Sequence, residues 1–168
     1  GASEGKSPEA VAEVAQQCLD TLTQVVYQFG GTIEKYSGDG LMAIWGAPRH
    51  DPDHAQHAVE AGMTMQQNIG ALAPWFIAHD FKPMKVSVGI NTGERAGGVF
   101  GGDAHLAWTA HGDAVNVASR IEQLTRSVEE DLLIGLKTAE LYGMDKVRYC
   151  GDHHVKGRHG LVAVYALK

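Results

Sequence analysis

The feature that most constrains this chain is a tight turn, Gly38-Asp39-Gly40, set between two β-prone runs, Thr32 to Ser37 and Leu41 to Trp45. Glycine on either side of an aspartate is turn chemistry, because glycine closes a hairpin without steric cost. A β-hairpin with a carboxylate at its turn is therefore expected. Its surroundings read as helix. Ser7-Pro8-Glu9 supplies an N-cap, a first-turn proline and an early acid; Val11, Val14, Cys18, Leu22, Val25, Val26 and Phe29 then recur at helical spacing until Gly30-Gly31. Asp51-Pro52 opens a second helix with the stripe Ala55, Ala58, Val59, Gly62, Met63, Met65, Ile69 and Leu72, and Pro74 restarts or bends it before Phe81.

Downstream, Lys85 to Asn91 alternates as a strand, Glu94 to Gly102 reads as a glycine-studded strand, and Gly112 to Thr125 as a helix with Val117, Ile121 and Leu124 on one side. The tail predicts strands at Leu132 to Ile134, Lys146 to Val155 and Leu161 to Leu167, with a short helix near Lys137 to Leu141. This order points to an α+β fold, an antiparallel sheet with helices on one face. A ferredoxin-like core needs a strand before its first helix, and the residues ahead of Pro8 do not read as one.

Composition excludes several functions. Fourteen Lys plus Arg against twenty Asp plus Glu give a net charge of -6, which argues against a nucleic-acid surface. No apolar run approaches a membrane span, and Gly1 to Ala10 has neither the basic start nor the apolar stretch of a secretory signal. A cytoplasmic domain without direct membrane contact is expected. Cys18 and Cys150, far apart and without CxxC spacing, read as reduced, structural thiols.

Four stretches together resemble a class III nucleotide cyclase domain, the family of adenylate and guanylate cyclases: Gly30 to Pro48 (GGTIEKYSGDGLMAIWGAP), Val86 to Gly102 (VSVGINTGERAGGVFGG), Trp108 to Glu122 (WTAHGDAVNVASRIE) and Val155 to Tyr165 (VKGRHGLVAVY). The resemblance implies a single catalytic domain over residues 1–168 with a ferredoxin-like fold, working as a head-to-tail homodimer with active sites between subunits. Closing ATP into 3′,5′-cyclic AMP needs in-line attack of the ribose 3′-hydroxyl on the α-phosphorus. It also calls for two divalent metals, Mg²⁺ or Mn²⁺, and a guanidinium against the phosphate charge.

On that resemblance Asp39 is one of two metal aspartates. The other belongs on a strand ahead of the first helix, and no residue here is assigned to it. Asn116 and Arg120, four apart on one helix face, match the residues that orient the ribose and neutralise the α-phosphate. Lys35 and Thr109 match the base-reading positions. An ammonium only donates, so Lys35 suits adenine N1 and meets guanine N1–H without an acceptor, while the Thr109 hydroxyl accepts from N6. Lys156, in Val-Lys-Gly-Arg, matches the triphosphate lysine, and Arg158 is placed to substitute for it or assist. Thr109 also resembles the bacterial and bicarbonate-responsive soluble subgroup, which implies bicarbonate as an activator.

Each residue has a plainer alternative: Asp39 as an ordinary turn residue, Asn116 and Arg120 as a solvated helix face, Lys35 as a gatekeeping charge on an edge strand. A guanylate cyclase, or a non-catalytic nucleotide-binding or dimerisation module, is the competing function. His50, His54 and His57 suggest a metal site but are expected to be a solvated helix face. Trp45 and Trp108 are expected in the core or at a dimer contact.

Overall fold

The protein is described here from a computed structural model covering residues 5–37, 40–93, 111–154 and 160–168, with 111–115 described in backbone alone. Helix α1 (Pro8–Gln28) starts as the sequence dictates: the Ala10 N–H donates to the Ser7 hydroxyl at 3.1 Å, and Pro8 fills the first helical position. It ends at Gly30, whose φ of +82° lets the Gly31 N–H turn back to the Val26 carbonyl at 2.9 Å. The chain then enters the hairpin of β1 (Thr32–Ser37) and β2 (Gly40–Ile44), paired antiparallel from Thr32↔Ile44 to Ser37↔Gly40.

Helices α2 (His54–Gly70) and α3 (Ala73–Ala78) follow, the second restarting at Pro74 as expected. Beyond them come β3 (Val88–Ile90), α4 (His111–Val128), β4 (Leu132–Gly135), α5 (Leu136–Tyr142), a 3-10 turn at Met144–Lys146, β5 (Val147–His154) and β6 (Leu161–Leu167). The last four strands form one sheet in the order β3-β4-β6-β5. The α+β class is the expected one. The β3–β4 pair is parallel, because the chain between them includes α4 and returns to the same end of the sheet; the other pairs are antiparallel.

Three apolar clusters hold these layers. In the first, Val14, Leu22, Val25 and Val26 of α1 meet Ala61, Met65 and Ile69 of α2, Phe76 of α3 and Phe81, with Ile33, Leu41, Ala43 and Trp45 of the hairpin region against them. The second joins Val117, Ile121 and Leu124 of α4 to Leu133, Val164 and Ala166 of the sheet. The third joins Val59 of α2 and Ala139 of α5 to Leu132, Ile134, Val147 and Tyr165. Because neighbouring side chains on a strand point to opposite faces, Leu133 meets α4 while Leu132 and Ile134 meet α2 and α5. Helices therefore cover both faces of the four-stranded sheet, correcting the expectation of helices on one face. Buried on both sides, β4 reads as a continuous apolar run whose hydrophobicity names no single covered face.

Two other expectations change. Met63, assigned to the buried stripe of α2, is 36% exposed. The strand expected over Lys85 to Asn91 is ladder-paired only at Val88–Ile90, while Val86 packs into the first cluster. Close approach of α4 to β3 depends on Gly89, where an added Cβ would lie 2.7 Å from the Ala118 carbonyl oxygen. Neither cysteine forms a disulfide: Cys18 is buried in α1 and Cys150 partly buried on β5. The strand expected over Glu94 to Gly102 lies outside the described residues.

Candidate functional site

Lys35 stands on β1 opposite Met42 of β2, and its side chain is exposed. The ladder slips by one residue between Ile33 and Lys35, a β-bulge that places Glu34 as an extra residue on β1. Tyr36 is fixed from the helix layer, its hydroxyl 3.0 Å from the Thr23 hydroxyl of α1. The hairpin's other end is held by Trp45, whose indole N–H donates to the Phe29 carbonyl at 3.0 Å. Trp45 is thus a packed residue, as expected. Asp39 lies outside the described residues.

Asn116 and Arg120 lie on the exposed side of α4, while Val117, Ile121 and Leu124 are buried against the sheet, the partition that helical spacing predicts. The Arg120 guanidinium donates through Nη1 to Gln123 Oε1 at 3.0 Å, which steadies it along the helix surface. Among the described residues no hydrogen bond or ion pair joins Lys35 to Asn116 or Arg120; they sit on different layers. Thr109, Trp108, Lys156 and Arg158 lie outside the described residues.

The histidines at the start of α2 differ from a simple solvated face. His57 Nδ1 lies 2.6 Å from Asp51 Oδ2, and Asp51 Oδ1 accepts from the Asp53 N–H at 2.9 Å, so one carboxylate ties down the entry to the helix. Hydrogen bonding to Asp51 raises the His57 pKa above its ordinary 6.5. Partial burial pushes Asp51 up, but its bonds from His57 and the Asp53 N–H outweigh this and leave it below its ordinary 3.8. His54 is partly buried, its Nδ1 3.2 Å from the Asp51 carbonyl oxygen and its Nε2 without a partner among the described residues. Ligand atoms of Asp51, Asp53 and His57 lie within 4.8 Å of one another.

Sequence reading missed the bulge at Glu34 and the Thr23–Tyr36 contact. Nothing within β1 signals either, because the odd interval from Ile33 to Tyr36 demands a bulge only once Tyr36 meets Thr23 on another element.

The described residues form an α+β domain, a helix-covered mixed sheet and a two-stranded hairpin, with Lys35 exposed on the hairpin and Asn116 and Arg120 exposed on α4. The chain belongs to the class III nucleotide cyclases: the family described as "Adenylate and Guanylate cyclase catalytic domain" matches residues 2–168. It is 34% identical over 164 residues to "Adenylate cyclase 1" of Rhizobium meliloti (strain 1021), an alignment covering 97% of this chain and 25% of that protein. It is 36% identical over 141 residues to "Adenylate cyclase, terminal-differentiation specific" of Dictyostelium discoideum, covering 81% of this chain and 6% of the relative. The chain thus spans a quarter or less of the length of these two relatives.

Among solved structures it is similar to the adenylyl cyclase CyaB from P. aeruginosa, with a TM-score of 0.77 and 26% identity over 99% of this chain and 86% of that one. It is also similar to the guanylyl cyclase Cya2, with a TM-score of 0.72 and 25% identity over 99% of this chain and 84% of that one. One of these neighbours is named an adenylyl and the other a guanylyl cyclase. No described helix is long and apolar enough to cross a membrane.

Proposed function

We propose that residues 1–168 act as one catalytic domain converting ATP to 3′,5′-cyclic AMP and pyrophosphate, at sites shared between two copies of the chain. The observation that carries the choice of ATP is Lys35, exposed opposite Met42 and without a hydrogen bond or ion pair to any described residue. Its ammonium can only donate, which suits adenine N1. In this reading Thr109 accepts from N6 and Lys156 holds the triphosphate. Asn116 orients the ribose so that its 3′-oxygen faces the α-phosphorus, and Arg120 neutralises the charge that gathers on the α-phosphate oxygens as pyrophosphate leaves. Exposure of both residues on α4, and the Gln123 contact that steadies Arg120, support these roles.

Two divalent cations, Mg²⁺ or Mn²⁺, are the cofactor such a reaction calls for, and the hard carboxylate of Asp39 is the donor this sequence offers. Beside it the ladder closes at Ser37↔Gly40, and among the described residues a Cβ at Gly40 would meet the Ser37 carbonyl oxygen at 3.7 Å, an ordinary contact. Bound there, the cations would draw charge off the phosphate oxygens. The Asp51, Asp53 and His57 group offers a mixed nitrogen–oxygen set, already bonded internally through His57 and Asp51, and is given no role in this reading.

In the homodimer, Asp39 belongs to one copy, while Lys35, Thr109, Asn116 and Arg120 of each site come from the other. ATP as substrate goes with a cytoplasmic location, and Thr109 carries the proposal that bicarbonate activates. The test supplies ATP and GTP in competition with Mn²⁺ to the full-length polypeptide and follows both cyclic products across a dilution series. Cyclic AMP should dominate, and specific activity should fall on dilution. Dominant cyclic GTP, or specific activity constant down to nanomolar enzyme, would contradict the reading.

A further inference from the structure

The bulge on β1 places two opposite chemistries side by side. Ile33, Leu41 and Ala43 of the hairpin pack against the α1–α2 cluster, and Tyr36, opposite Leu41, reaches Thr23 of α1. The helix side of the hairpin is therefore Ile33 and Tyr36 on β1 with Leu41 and Ala43 on β2. Ile33 and Tyr36 are three residues apart, an odd interval that regular alternation would place on opposite faces. The bulge absorbs the difference, so that Glu34 and Lys35 both turn to the other face, beside Met42. Glu34 is partly buried there and Lys35 exposed, and neither is hydrogen-bonded or ion-paired to a described residue.

An ionised carboxylate only accepts and an ammonium only donates. Adenine presents an acceptor at N1 and donors at N6; guanine presents donors at N1 and N2 and an acceptor at O6. A Lys beside a Glu therefore offers complementary groups to either purine edge, and the residue standing opposite Met42 decides which edge is favoured. We infer that Glu34 is a specificity-determining residue sharing the base-reading face with Lys35, and that the bulge selects ATP by holding Lys35 rather than Glu34 in the position opposite Met42. This rests on the reading of Lys35 as the purine contact.

Deleting either residue of the bulge restores an unbulged ladder with Ile33 and Tyr36 still on the helix side. Deletion of Glu34 leaves Lys35 opposite Met42, whereas deletion of Lys35 leaves Glu34 there. The experiment compares these two deletions with Lys35→Ala and the unaltered sequence, all in the full-length polypeptide, by the ratio of GTP to ATP use in direct competition. Equilibrium binding of the two nucleotides provides the same ratio for any variant that is folded by its melting curve but inactive. A purely structural role for the bulge would change rates and leave this ratio alone.

Deletion of Lys35 should raise the GTP-to-ATP ratio roughly 10-fold or more above that of Lys35→Ala, while deletion of Glu34 should lower the ratio below that of the unaltered chain. A ratio for the Lys35 deletion equal to that of Lys35→Ala would overturn the role of Glu34 and leave Lys35 as reader intact. A ratio unmoved by Lys35→Ala itself would instead remove Lys35 as the purine contact, and this inference with it.

Discussion

The hairpin β1–β2 and the four-stranded sheet carry the two halves of the proposed site, and they are held in different ways. The sheet is closed on both faces, by α4 on one side and by α2 and α5 on the other, through fully buried Leu133, Ile134 and Val164. Backbone meets backbone at Gly89, so α4 has little freedom to shift and Asn116 and Arg120 inherit that rigidity. The hairpin is a two-stranded ribbon that packs by one face, through Ile33, Leu41 and Ala43, against the cluster containing Phe76 and Phe81, with Trp45 at its end. On its other face, beside the bulge, Lys35 is exposed among the described residues. Asn116 and Arg120, assigned to the chemical step, therefore ride on the stiff region, and Lys35, assigned to base choice, on the adaptable one. Charge on a phosphate must be met at fixed geometry, whereas a change of purine needs only one strand position to change.

The largest effect should come from emptying the core of the cluster on which the hairpin packs. Phe76→Ala removes a fully buried ring and should cost about 3–5 kcal/mol in denaturant unfolding, with loss of activity following loss of fold. Arg120→Ala acts on the stiff region without touching its packing: turnover should fall about 100-fold, close to 2.7 kcal/mol, with KM for ATP nearly unchanged and the melting curve unmoved. An equal rise in KM would assign Arg120 to ground-state binding instead. Gly89→Ala tests the backbone contact directly, and forcing α4 off β3 should cost about 1–3 kcal/mol while lowering turnover more than it alters the GTP-to-ATP ratio. If that ratio moved with turnover, the separation between the two regions would be lost.

The smallest effect lies at the entry to α2, which packs into both regions. The raised His57 pKa means that its bond to Asp51 stabilises fully below the ordinary histidine value of 6.5 and fades as pH rises through the raised value. The lowered Asp51 pKa means that the bond is present above 3.8 and fades as pH falls through the lowered value. His57→Gln should therefore lose most stability relative to the unaltered chain between these two ordinary values. With His57 partly solvent-exposed the loss should be about 0.2–1 kcal/mol. A difference growing above pH 8 would reverse the assignment.

Much of this division is legible in the sequence. Ser7-Pro8 and Gly30-Gly31 bounded α1, the turn around Asp39 marked the hairpin, and the spacing of Val117, Ile121 and Leu124 put Asn116 and Arg120 on the outer side of α4. These are local signals, carried by caps, glycine and periodicity. What could not be read depended on contacts between distant segments. The run Leu132-Leu133-Ile134 is apolar throughout, so its pattern did not tell that α4 covers one face and α2 the other. The position of the bulge followed from Tyr36 meeting Thr23 on another element. His54 and His57 looked like surface residues because their tie to Asp51 depends on how the chain folds into α2.

The central claim is that each active site is completed by two copies of the chain, and it is tested most directly by mixing two disabled variants, Asp39→Ala and Arg120→Ala, in equal amounts in the full-length polypeptide. Random pairing makes half the dimers mixed, each with one intact site of two, so cyclic AMP formation should recover to about a quarter of the unaltered rate. Activity that stays at the level of either variant alone, with exchange of subunits verified, would contradict the shared site.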